Sequence, residues 1–312
     1  MEAKKLHGWR LSHLLGVSAL AIGLLAASPA SAGAARGQTC SGDLNNFPTE
    51  IGTLSGTYSG NVQISGACAV VAGPTVINGN LTLLPGSTLL AIFGLTNFQS
   101  GTPASTLTVN GNVLVQSGAA LLLGCIPTSF PCFDDPFTDG NPSLSSAGTV
   151  SGNLVATQPL GVIVHNTTIG GSVTENGGGG GFTCGPPDVP AGIFGVIQSP
   201  VFSDYEDSSV GGNLNVTGLN TCWVGMARDQ VKGNMLLIRD QLADPDGAEV
   251  IDNTISGNLV CQQNSMVWDS ADLSDNLYPR LWEPDSVNGQ RVGQCVVAPP
   301  IDSPGGVSPG SF

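Results

Sequence analysis

The stretch "DYEDSS" at 204–209 places Asp204, Glu206 and Asp207 within four positions. Two neighbouring carboxylates, one kept protonated and one ionised, are what glycoside hydrolysis requires. The same residues also read as a solvated acidic turn, and the sequence favours the turn over catalysis. His165 closes the apolar run "GVIVH" and is the only histidine after residue 13. With no second histidine and no G-x-S-x-G elbow, it reads as a turn residue rather than a base. A second acidic stretch, "DPDGAE", carries Asp244, Asp246 and Glu249, and "DSADLSD" follows at 269–275. Hard cations take oxygen ligands from such loops, so calcium is the ion to weigh here. Neither stretch fits an EF-hand, and the expectation is a chain without a cofactor.

Charge narrows the partners. Residues 1–32 combine Lys4, Lys5 and Arg10 with the apolar run "LLGVSALAIGLLAA" and the small residues "SPASA". These are the three parts of a Sec-type secretory signal, with cleavage expected after Ala32. Its removal takes three of nine Lys/Arg and one of 23 Asp/Glu, leaving a formal charge of −16 on 33–312. No Lys or Arg occurs between Arg36 and Arg228, while ten acidic residues do. A surface without cations cannot release counterions from a phosphate backbone, so nucleic acid and anionic lipid are excluded as partners. Acidic polysaccharide is equally unsuited, and no later segment is apolar enough to span a bilayer.

The elements that would position these residues repeat. A Gly followed by Asn or Ser, then a short apolar-alternating stretch, begins at Gly60, Gly79, Gly111, Gly152, Gly171, Gly212, Gly233 and Gly257. The gaps are 19, 32, 41, 19, 41, 21 and 24 residues. Two lie near double the shortest, as though a unit had kept its place and lost its signature. A unit of about twenty residues that tolerates insertions marks a solenoid. The expected coil has two short strands and two corners, with the Gly supplying positive φ at one corner. Asn80, Asn112, Asn153, Asn213, Asn234 and Asn258 should stack in one column, pinning register through a side-chain ladder. A β-sandwich with Gly-rich hairpins is the competing fold.

The G-N-φ-x-φ…G-[SA]-x-φ unit over 56–263 resembles the coils of single-stranded right-handed parallel β-helices, in the style of bactofilin repeats and of adhesin-like exported bacterial proteins. The resemblance implies an all-β chain: a lead at 33–55, a solenoid at 56–263, an aromatic cap at 264–298 with Trp268, Tyr278 and Trp282, and a tail at 299–312. Eight cysteines in an exported chain point to disulfides rather than zinc. Progressive coiling keeps sequence neighbours together, so the expected bonds are Cys40–Cys68, Cys125–Cys132, Cys184–Cys222 and Cys261–Cys295. The function expected is a non-catalytic, exported structural or surface scaffold, with an unidentified partner such as a cell-wall or extracellular glycan. A carbohydrate-binding or glycosidase-type β-helix is the alternative.

Overall fold

A computed structural model describes residues 37–46, 49–92, 105–125, 146–187, 192–245, 247–269 and 285–296. Nearly every element is a short strand, and strands pair in parallel from coil to coil as a β-solenoid. Among the described residues the coils share three strand-bearing faces, one more than expected, and two successive coils add a fourth two-residue strand at a corner, Asn220–Thr221 paired with Gln241–Leu242. The long strand Val62–Ile77 passes along all three faces. Its start pairs with Leu81–Leu83, its middle with Thr88–Leu90 and its end with Leu107–Val109. The third strand is only two or three residues long and runs straight into the Gly-Asn corner, so in sequence it merges with its neighbours.

The 41-residue gaps do not conceal a second coil. Leu154–Ala156 pairs directly with Val113–Val115, and Val173–Asn176 pairs directly with Leu214–Thr217. Each is a single coil carrying an insertion. The first insertion leaves at Cys125 and returns at Ser146, and paired backbone hydrogen bonds of 2.9 and 3.0 Å close its neck. The second occupies 177–202 and includes the helix Gly192–Ile197. The ladder also runs past 56–263 at both ends. Gln38–Gly42 pairs with Val62–Gly66, and Arg291–Gly293 pairs with Leu259–Cys261. Within the segment read as a cap, Val267–Asp269 and Ser286–Val287 continue the coil. Tyr278, Trp282 and residues 1–36 and 297–312, which include the segments read as a secretory signal and a tail, lie outside the described residues.

Alternation sorts the side chains. On the first face Leu81, Leu83, Val113 and Val115 point into the core, with Thr82 and Leu114 outward. The second face is buried on both sides. Leu121 and Val164 fill the solenoid, while Leu90, Leu122 and Ile163 pack outward against Ile193, Phe194 and Phe202 of the second insertion. Strands covered on both sides read as continuous apolar runs, which is why "TLLA" and "ALLL" show no alternation. On the third face the outward positions carry Thr108, Thr149, Thr168, Ser209, Gln230 and Thr254 in register.

The Asn column forms chiefly through backbone donors, with longer amide-to-amide bonds of 3.4 Å from Asn112 to Asn80 and 3.5 Å from Asn153 to Asn112 beside them. The backbone N–H of Asn80, Asn112 and Asn153 each donates to Oδ1 of the Asn one coil earlier at 2.8 Å. Ser172 takes one rung, and Asn213, Asn234, Asn258 and Gln290 continue it. The Gly of each pair does not supply positive φ. Gly79, Gly111, Gly152, Gly233 and Gly257 are absent from that region. They are glycine because the column beneath leaves no room: a Cβ on Gly257 would come within 2.5 Å of Asn234 Oδ1. Positive φ falls at the other corners, at Gln158, Gly177, Gly218 and Arg239 in one column and Asn166, Asp207, Arg228 and Asp252 in another.

Disulfides join Cys40 to Cys68, Cys184 to Cys222 and Cys261 to Cys295. Cys125 is also disulfide-bonded, and Cys132 lies outside the described residues.

Candidate functional site

The second face carries the chemistry. Strand Gly161–His165 pairs with Ser203–Glu206, which pairs with Val224–Ala227. His165 is therefore in register with Glu206, and Asp204 with Ile163 on one side and Gly225 on the other. All three polar residues point away from the solenoid core, yet His165, Asp204 and Glu206 are only 0%, 1% and 0% exposed. The imidazole reaches diagonally along the ladder, placing His165 Nε2 2.8 Å from Asp204 Oδ2. Gly225 leaves space beside Asp204 that no larger residue could leave, since a Cβ there would run into Asp204 Oδ1 and Trp223.

Arg228 closes the cluster from the next coil. Its guanidinium donates through Nε to Asp207 Oδ1 at 2.8 Å and through Nη2 to Asp207 Oδ2 at 2.9 Å. Nη2 also donates to Glu206 Oε2 at 2.6 Å. Asp207 and Arg228 occupy equivalent corner positions one coil apart, both with positive φ. The first cation after the cation-free span thus lands on the acidic stretch that motivated a site.

Burial and like charge set the protonation. Loss of solvent pushes the Glu206 carboxyl up to about 8, with Asp204 adding to the rise and His165 and Arg228 opposing it. Burial works against a charged His165, but the Asp204 and Glu206 carboxylates outweigh it and hold the imidazole above its usual value.

A second buried carboxyl faces the interior. Glu175, on the first face, accepts from Ser203 Oγ at 2.7 Å and from Tyr205 Oη at 2.8 Å. Burial pushes its carboxyl up to about 7 against the pull of those two donors.

Asp244 and Glu249, the described residues of the set weighed for calcium, are not brought together. Asp244 is half-buried, its N–H bonded to the Cys222 carbonyl at 3.0 Å, while Glu249 lies on the second face in register with Gly225. Asp246 lies outside the described residues. Among those described, Asp244 approaches Cys184 and Cys222, but their sulfurs are joined to each other and cannot act as thiolate ligands.

Asp204 and Glu206 are thus not on a solvated turn, and His165 is not a turn residue. Arg228 and Glu175 were missed. The signal was available: His165, Glu206, Ala227 and Ile251 each stand six residues before their coil's repeat Gly, which aligns them in one column. No protein-family model, curated protein or solved structure shows significant similarity to this chain.

Proposed function

We propose that the chain is an exported, non-catalytic structural protein, an adhesin-like β-solenoid that acts as a rigid scaffold at the cell surface or outside the cell. The observation carrying this reading is the side-chain ladder from Asn61 to Gln290, with Cys40–Cys68 at one end and Cys261–Cys295 at the other. Such ladders and clamps stiffen a rod without requiring a cleft. Disulfides persist in oxidising compartments, in keeping with the leader-like 1–32 segment. With about ten coils at about 4.8 Å each, the rod would be roughly 50 Å long. Expression of the full chain in bacteria followed by fractionation tests the proposal. The mature chain should begin at Gly33, lie outside the cytoplasm and carry oxidised cysteines. An intact leader on a cytoplasmic, reduced protein would overturn it. Sedimentation distinguishes a monomeric rod from a bactofilin-like polymer.

A second reading, glycan binding, is favoured by the third face. Its outward row of Thr168, Ser209, Gln230 and Thr254 borders a groove that Lys232 also lines. Hydroxyls and amides at a regular spacing suit a neutral polysaccharide chain. The glycosidase form has less support, because Asp204 and Glu206 are enclosed. Co-sedimentation with insoluble glycans, lost in Gln230→Ala, would establish the binding form.

A further inference from the structure

We propose that His165, Asp204 and Glu206 bind one first-row divalent cation of the zinc class. The three offer ligand atoms that all lie within 4.8 Å of one another. Tetrahedral zinc with bonds of about 2.0–2.2 Å to nitrogen and oxygen places its ligands roughly 3.3 Å apart, so small side-chain rotations close the set. His165 Nε2 and Asp204 Oδ2 are already 2.8 Å apart.

Unused bonding capacity in the cluster gives the independent pointer to a ligand. His165 Nδ1, Asp204 Oδ1 and Glu206 Oε1 are buried and have no hydrogen-bond partner. Buried polar atoms are nearly always paired, and the orphaned Asp204 Oδ1 and Glu206 Oε1 call for a cation to satisfy them, with one ring nitrogen of His165 as its third ligand. The missing Cβ at Gly225 opens the space into which Asp204 Oδ1 projects.

Charge and orientation agree. Two carboxylates and a neutral imidazole balance a 2+ ion. Arg228 holds only Oε2 of Glu206, leaving Oε1 toward the cluster, the way outer-shell donors orient a ligating carboxylate. One imidazole with two carboxylates suits zinc or a similar transition ion. Calcium, which takes six to eight oxygens, is disfavoured.

The test uses the purified, oxidised mature chain, stripped with chelator and titrated with Zn²⁺ or Co²⁺. One equivalent should bind, Co²⁺ should give visible d–d bands without thiolate charge transfer, and Zn²⁺ should raise the unfolding temperature. His165→Asn and Glu206→Gln should each weaken binding by at least about tenfold, whereas Asp244→Asn should leave it unchanged. Absence of stoichiometric binding to the wild-type chain would overturn the proposal, and needs no variant to fold. So would unchanged affinity in folded His165→Asn and Glu206→Gln, a thiolate band, or loss of binding in Asp244→Asn.

Discussion

A Cβ placed on Gly111 would stand 2.5 Å from Oδ1 of Asn80, the residue one coil earlier whose side chain accepts the Asn112 N–H. Gly60 occupies the same repeat position at the start of the column, where nothing lies within 4 Å of such a Cβ and φ is not positive. The same substitution should therefore act in opposite directions. Gly111→Ala should destabilise by about 1–3 kcal/mol through overpacking. Gly60→Ala should be neutral or stabilise by up to about 1 kcal/mol by restricting the unfolded chain. Urea unfolding of both variants checks this, and equal losses would show that the glycines serve the corner rather than the column.

The rung chemistry can be tested at Asn234, whose Oδ1 accepts from the Asn258 N–H at 2.8 Å. Asn234→Ala removes the acceptor and should cost about 1–2 kcal/mol. Asn234→Ser should recover part of that loss, because Ser172 already fills a rung with its Oγ at 3.1 Å from the Asn213 nitrogen. Thermal unfolding of the pair decides it: a Ser variant no better than Ala would mean that the acceptor is not what the rung contributes.

Much of this fold was legible in the sequence, for a physical reason. In a solenoid the contacts of a residue lie one coil away, so the spacing of repeat glycines fixes the register of everything between them. The stacked Asn positions follow from that alone. The third strand was not legible because Ser209–Val210 and Gln230–Val231 are too short to show alternation. Insertions defeated the length argument: a 41-residue coil and two 20-residue coils give the same gap. The site was half legible. Register places His165 beside Glu206, but burial of the second face's outer side depends on insertions whose packing no periodicity encodes.

Loss of the Cys261–Cys295 bond should matter most at the C-terminal coil. The bond closes a separation of 34 residues, and the chain-entropy relation gives about 3–4 kcal/mol for a loop of that size. In a Cys261→Ser, Cys295→Ser double variant, hydrogen exchange should speed up in Leu259–Gln262 and Arg291–Gly293, which pair with each other. The central coils, joined by their own ladders, should keep their protection. Uniform loss of protection along the chain would show that the clamp acts globally.

Stability should rise toward mild acid. The Glu175 carboxyl is fully buried and pushed up to about 7 from an ordinary 4.5, so the folded state favours its protonated form. A raised carboxyl contributes stability that is complete below about 4.5 and is lost as pH climbs through about 7. Over that window the loss from this group is about 3 kcal/mol. Glu206, pushed up to about 8, and Asp240, pushed up to about 7, act in the same direction. The wild-type midpoint in urea should accordingly be higher at pH 5 than at pH 8. Glu175→Gln keeps an oxygen for Ser203 or Tyr205 and removes the titration. It should gain stability relative to wild type at pH 8 and flatten the slope, with the remainder owed to Glu206, Asp240, Asp229 and His165, all held above their ordinary values. An unaltered slope in that variant would mean that Glu175 is ionised inside the fold at no cost, held by its two hydroxyl donors alone.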